Sequence, residues 1–156
     1  MPDMTPPADL VSWGKTVAGT WKCTGTAMGM DGKQQPMTAT MTTKVEMGGW
    51  WIHDSFDAKM GAMPFHFDQY TTLDTKTKKL HRMMMEIGGG YSVGDAAAPA
   101  GGKVDFELSS HDAGMGDMQF KDHADLSDPK VLKAKGEFTM DKGKTWQTAY
   151  DMSCKK

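Results

Sequence analysis

The sequence has only two cysteines, no long apolar run and no excess of charge of one sign. The 18 basic and 20 acidic residues give a net charge of −2. The chain therefore lacks the excess of positive charge with which proteins bind nucleic acid or an anionic membrane. No stretch approaches the ~20 consecutive apolar residues that cross a bilayer as a helix. We therefore expect no nucleic-acid partner and no membrane span.

Catalytic motifs are equally scarce. No G-x-S-x-G sequence occurs, and the Gly-Lys-Thr triplets at residues 14–16 and 143–145 lack the upstream glycine of a phosphate-binding loop. The His-Asp-Ser triplet at residues 53–55 is no catalytic triad, because adjacent residues of a strand face opposite sides. The sequence thus predicts a protein that is not an enzyme.

What the chain does contain is one helical segment followed by many short strands. A helix is predicted over residues 5–18, with Thr5 as N-cap, Pro6 in the first turn and an apolar stripe after them. Glycine- and aspartate-rich turns then separate ten predicted strands, over residues 20–28, 36–47, 50–59, 64–73, 79–87, 91–95, 103–109, 118–126, 131–140 and 145–154. This pattern predicts a single all-β domain over residues 1–156. Its fold would be a closed antiparallel up-and-down barrel over residues 19–154, with the helix covering one end.

The two cysteines lie where the first and last strands of such a barrel would meet. Those strands are neighbours and run in opposite directions, so the start of one faces the end of the other. Cys23 shares a strand face with Trp21, and Cys154 shares one with Tyr150 and Met152. We therefore predict a Cys23–Cys154 disulfide across the seam, with two unrelated free thiols as the alternative.

A disulfide would also indicate the cellular compartment of the protein. Disulfides persist in oxidising compartments, so we expect an exported protein, in the bacterial periplasm. The N-terminal residues lack the basic and apolar regions of a signal peptide, so the sequence would then be the mature form.

Three short motifs resemble those of known barrels. The Gly-Thr-Trp at residues 19–21, opening the first strand after a short helix, resembles the start of lipocalin-like (calycin) barrels. The Gly-Gly-Trp-Trp at residues 48–51 and the Gly-Ala-Met-Pro-Phe at residues 61–65 resemble a bacterial lipocalin-like family classed as a domain of unknown function. Lipocalin-like barrels generally carry small apolar ligands, and the resemblance implies such binding here.

The strand faces assigned inward are rich in aromatic and methionine side chains, which can line a pocket or fill the barrel. Arg82 lies among them and needs an anion, which Glu86, another core carboxylate or a ligand head group would supply. We predict binding of a small apolar or amphipathic molecule inside the barrel. The predicted lining is Trp21, Met41, Trp51, His53, Phe67, Arg82, Met84, Phe106, Phe120 and Tyr150. A completely filled barrel, serving as a structural or interaction module, is an open alternative.

Methionine is unusually frequent, with 16 residues, and several methionines lie in pairs at hairpin turns. In a ten-strand meander the turns after odd-numbered strands share one rim, opposite the helix, provided that residues 91–95 form a strand. Thioether and imidazole groups suit Cu(I), a soft ion. The alternative function is therefore periplasmic copper binding at that rim by Met28, Met30, Met60, Met63, His111, Met115 and Met118. Chance scatter of a methionine-rich composition would explain the same pattern, and no other cofactor is expected.

Overall fold

The computed structural model describes residues 3–156. Within these residues the chain forms one α-helix and ten strands: α1 (Ala8–Val17), β1 (Gly19–Met28), β2 (Gln34–Glu46), β3 (Trp51–Met60), β4 (Met63–Leu73), β5 (Lys79–Glu86), β6 (Tyr91–Ala97), β7 (Lys103–Asp112), β8 (Gly116–Asp125), β9 (Val131–Thr139) and β10 (Gln147–Lys155). Each strand pairs with the next one along the chain, and β10 returns to pair antiparallel with β1. The predicted all-β closed barrel with a short N-terminal helix is confirmed. None of the helical segments described here has the length and apolar character needed to cross a bilayer.

The two ends of the barrel differ. Helix α1 lies at the end where β1 begins, which we call the capped end; the turns after the odd-numbered strands form the opposite end, the open rim. Leu10, Trp13 and Val17 of α1 are buried. A Cβ atom at Gly14 would come within 2.9 Å of Cγ2 of Val45, so the glycine allows the helix to pack closely onto the sheet.

Helix α1 begins three residues later than predicted. Pro7 occupies the N-cap position with an extended ψ of 140°, and no side chain caps the helix. A residue that precedes proline is disfavoured in the α conformation, so Thr5 and Pro6 are both held out of the helix. The predicted capping role of Thr5 is therefore wrong.

The seam between β1 and β10 closes the barrel. Residues 22–27 pair in an unbroken register with residues 155–150, which places Cys23 directly opposite Cys154. The two sulfur atoms form a disulfide, and both cysteines are almost fully buried. The predicted disulfide is confirmed. Next to it, Nε1 of Trp21 donates to the carbonyl oxygen of Val17 at 2.8 Å, which ties the seam to the helix.

The inward-facing side chains are packed unevenly along the barrel axis. Near the capped end they are almost completely buried, as in Trp21, Ile52, Leu73, Leu80 and Val104. Nearer the open rim burial is mixed: Met37 and Phe138 are buried. Other inward aromatic side chains are only partly buried, namely Phe65, Phe67, Phe120 and Tyr150. The inward face is therefore packed less completely towards the open rim than at the capped end.

Removing the disulfide should destabilise the barrel, because the cross-link joins residues 131 positions apart. A closed loop of that length contributes about 5 kcal/mol in the chain-entropy description. We expect the free energy of unfolding of the C23A/C154A variant, measured by urea denaturation, to be lower than that of the wild type by much of this contribution. A reductant should shift the wild-type midpoint and leave that of the double variant unchanged. Equal stability of the two proteins would contradict the expectation.

Candidate ligand site inside the barrel

The cross-strand register shows which side chains face the interior. The buried Trp21 pairs with Met41, Met41 pairs with Phe56, and Phe56 pairs with Phe67, so these four share one face. The same alternation places eight of the predicted lining residues inward: Trp21, Met41, Phe67, Arg82, Met84, Phe106, Phe120 and Tyr150. Their part in ligand binding stays a prediction.

Trp51 and His53 face outward, contrary to the prediction. Their neighbours Ile52 and Asp54 are the buried residues of β3. His53 instead stacks on Tyr70 at the outer surface, with ring centroids 4.3 Å apart. The prediction assigned the two residues correctly to one face but chose the wrong face, because a tandem tryptophan step does not show which ring turns inward. A shift of one residue reverses every side chain of a strand.

A buried ion pair lies on the wall of the interior, midway along the barrel. Nη1 of Arg82 donates to Oδ2 of Asp122, and the hydroxyl of Tyr150 donates to Oδ1 of the same carboxylate. Nε of Arg82 donates to Oγ1 of Thr71 at 3.3 Å, and its guanidinium carbon lies 3.7 Å from the ring centroid of Phe106. Only 10% and 14% of the Arg82 and Asp122 side chains are exposed. The anion that Arg82 requires is thus a core carboxylate, Asp122.

Tyr150 is held in this position by its surroundings. Burial of the hydroxyl raises the pKa of Tyr150 well above its usual value, and the negative charge of Asp122 raises it further, so the phenol stays protonated and donates. Gly136 provides the space for the ring, since a Cβ atom there would lie 2.3 Å from the ring of Tyr150 and 2.8 Å from that of Phe120. The two rings stack with centroids 6.2 Å apart and contribute to the aromatic wall.

A second carboxylate inside the barrel belongs to Asp54, of which only 7% is exposed. Its oxygens accept hydrogen bonds from the hydroxyl of Thr43 and, at 2.8 Å, from Nε2 of Gln69. Both partners are neutral, so they solvate the carboxylate without cancelling its charge. Asp54 was not among the predicted lining residues, because the opposite face of β3 was predicted to point inward.

Two further polar groups face the interior near the open rim. Glu86 pairs in register with Phe67 and is half-buried; burial raises the pKa of its carboxyl group, and the charge of Asp112 raises it further. Ser92 pairs with Met84, is 1% exposed, and its Oγ has no hydrogen-bond partner within the described part of the chain. An unsatisfied buried hydroxyl is uncommon and marks a position where a bound molecule could complete the bonding.

The histidines lie on the outer surface and form hydrogen bonds with carboxylates there. Asp68 accepts from Nε2 of His53 at 2.8 Å and from Nε2 of His66 at 3.0 Å, and Glu46 and Asp57 contact the other ring nitrogens at 3.2 and 2.7 Å. Burial lowers the pKa of His53, but the hydrogen bonds to Asp68 and Glu46 together outweigh it, so the net shift is upward. The hydrogen bond to Asp68 likewise raises the pKa of His66. Across residues 3–156, no three His, Cys, Asp or Glu side chains are arranged to hold a metal ion.

The methionine turns do share the open rim, because β6 is a strand. Their predicted copper ligands nevertheless point in different directions. The register puts Met60, Met63 and Met118 on the inner face of the barrel. Met28 and His111 are on the outer face, and Met30 and Met115 lie in the turns themselves. Nδ1 of His111 is also hydrogen-bonded to Asp117 at 2.7 Å. Copper binding stays a prediction.

The outer surface carries a shallow groove of about 240 Å³ across β7, β8, β9 and β10. Polar side chains make up most of its lining: the charged Lys103, Asp105, Asp125, Lys133, Lys135 and Asp151, together with His123. Sites for apolar ligands are concave and mostly apolar. The barrel interior is therefore the better candidate for such a ligand.

Replacing Asp122 by leucine should strongly destabilise the protein, because it leaves the buried guanidinium of Arg82 without its anion. Breaking a buried ion pair in this way costs about 3–5 kcal/mol. The R82M/D122L double variant, which removes both charges, should regain most of that loss in urea unfolding. Asp105→Leu on the outer face serves as the matched control. If the single and double variants are equally unstable, the ion pair is not what stabilises this region.

Comparison with known proteins supports the fold. No protein-family model and no curated protein matches the chain. The crystal structure of Rv2717c from M. tuberculosis is similar with a TM-score of 0.72 at 11% sequence identity, over 97% of this chain and 99% of that chain. The S-type phycobiliprotein lyase CPES from Guillardia theta is similar with a TM-score of 0.61 at 8% identity, over 93% of this chain and 90% of that chain. At these identities the likeness concerns the fold, and the chain has the lipocalin-like barrel fold.

Proposed function

We propose that the protein binds a small apolar or amphipathic molecule inside the barrel, on the side of the open rim, without catalysing a reaction on it. The observation that carries this proposal is the partial exposure of inward-facing aromatic side chains, among them Phe65, Phe67, Phe120 and Tyr150. A barrel filled by its own side chains at this end would bury these rings as completely as it buries Phe138, the cross-strand neighbour of Phe120. The pattern therefore favours a container over a filled barrel.

The mixture of groups in this space also supports ligand binding. Small-molecule sites combine apolar walls with a few placed polar groups. Here the inward strand faces that carry the rings also carry Gln69, Ser92 and the hydroxyl of Tyr150. The carboxylates of Asp54 and Asp122 already accept hydrogen bonds from neighbouring side chains, which suits a role in shaping the site rather than in proton transfer.

We also propose that the protein is exported, into the bacterial periplasm, because its disulfide requires an oxidising compartment to persist. The three motifs at residues 19–21, 48–51 and 61–65 support membership of the bacterial lipocalin-like family that they resemble. Membership of this family would not identify the ligand.

A neutral apolar dye, N-phenyl-1-naphthylamine, tests the binding proposal by its fluorescence increase in an apolar site. Met84 faces the interior, whereas the next residue, Met85, faces outward and is 49% exposed. Met84→Trp should weaken dye binding about tenfold or more, since the larger side chain occupies the ligand's space; this corresponds to about 1.4 kcal/mol. Met85→Trp is the matched control and should bind as the wild type does. A wild-type protein that gives no fluorescence increase would favour the filled barrel.

Copper binding is a second candidate, favoured by the direct pairing of Met60 with Met63 on the open rim. Thioethers in this arrangement suit Cu(I). Titration of Cu(I) against a chromogenic chelator should show binding tighter than about micromolar, equivalent to about −8 kcal/mol. The M60L/M63L variant should lose it, while Met47→Leu, an exposed methionine at the capped end, should not. Binding weaker than this in the wild type would end the copper proposal.

A further inference from the structure

We propose that the interior of the barrel selects an amphiphile with a cationic head group, such as a primary ammonium, over one with a carboxylate. This inference rests on the proposed function and specifies the chemical class of its ligand. It depends on the charges of the inner wall, on the state of Arg82 and on the unpartnered hydroxyl of Ser92.

The inner wall has an excess of negative charge. Over the strands of residues 3–156, the register places one basic side chain on the inward face, that of Arg82. It places four acidic side chains there, those of Asp54, Glu86, Asp112 and Asp122. All lysines of the strands lie on the outward face or at strand ends. The exposed turns of the open rim carry both signs, with Lys33, Lys142 and Lys144 near Asp31 and Asp141. Water and salt screen these rim charges more than they screen those inside.

Arg82 is not free to receive a ligand carboxylate. Its guanidinium is neutralised by Asp122, donates to Thr71 and lies over the ring of Phe106. A carboxylate brought beside it would also approach the oxygens of Asp122. Desolvated like charges at such distances repel strongly. The residue that suggested an acidic ligand in the sequence therefore no longer favours one in the structure.

Glu86 offers the opposite environment. It is half-buried on the inner wall, it pairs in register with Phe67, and the negative charge of Asp112 acts on it. A desolvated carboxylate without a counter-ion is unfavourable, and a ligand cation would supply that counter-ion. The faces of Phe67, Phe120 and Tyr150 add the negative π surface that attracts ammonium groups.

Ser92 is an independent indication of a ligand at this level of the barrel. Its Oγ is buried, points to the interior and lacks a hydrogen-bond partner within the described residues. On β6 it lies beside Met84, two residues from Glu86 on the same face of β5. Its hydroxyl can accept a hydrogen bond from an ammonium or donate one to a carboxylate, so it indicates a polar ligand group here, and the charge of Glu86 selects the cation.

Three probes with the same ten-carbon chain test the inference, used below their micelle concentrations to displace N-phenyl-1-naphthylamine. Decylammonium carries a cation, decyl glucoside is neutral and decanoate carries a carboxylate. We expect decylammonium to bind about tenfold or more tightly than decanoate, which corresponds to about 1.4 kcal/mol, with the glucoside between them. This preference should shrink as salt is added, because it is electrostatic.

Variants of two glutamates locate the effect. Glu86→Gln should reduce the preference for decylammonium over decanoate by about threefold or more. Glu107→Gln removes an equal charge from the exposed outer face of β7 and should leave the preference unchanged. Equal reductions in both variants would mean that overall charge, not the interior, sets the preference, and would overturn the inference.

The outcomes separate this inference from the function on which it rests. Binding of all three probes with equal affinity, or tighter binding of decanoate, would overturn the cation preference and leave the apolar site intact. Failure of every probe, including the glucoside and the dye itself, would overturn the binding function as well.

Discussion

The pairing of β1 with β10 is the constraint on which the rest of this structure depends. It converts a row of hairpins into a closed surface, so that every strand has one face inside and one face in water. Cys23 and Cys154 are directly opposite each other in that pairing, and their disulfide fixes the register at the place where the chain closes. Because side chains alternate with a period of two, this one register determines which residues meet inside.

The interior that results has two regions. At the capped end large apolar side chains are packed around Trp21 and under helix α1, as in an ordinary protein core. From the middle of the barrel to the open rim, the wall combines aromatic rings with carboxylates, an arginine and an unsatisfied hydroxyl. The buried Arg82 is tolerated because Asp122, Thr71 and the face of Phe106 together replace the water that it loses. Such a wall differs from a purely apolar barrel in its charges as well as in its shape.

Most of the fold was predictable because its signals are local. Turn residues mark the ends of the strands, the clean alternation of β2 shows its buried face, and the two cysteines identify the strands that close the barrel. The helix start was mispredicted because two successive prolines outweigh the capping preference of Thr5. The face of β3 was mispredicted because Trp50 and Trp51 are adjacent and equally apolar. That single error hid Asp54 and placed His53 inside the barrel.

In the candidate site, the direction of each side chain follows from strand periodicity, whereas its partner across the interior does not. The sequence by itself determined that Arg82 would be inside an aromatic-rich barrel and would need an anion, because strand periodicity fixes a face and burial of a charge demands a partner. Only the tertiary structure decided that this partner is Asp122, which lies 40 residues away on a strand that does not adjoin β5. Contacts across the interior depend on the circumference, tilt and closure of the whole barrel. The periodicity of a single strand does not determine the circumference, tilt or closure of the barrel. Which charges lie next to each other in the site could therefore be seen only in the closed structure.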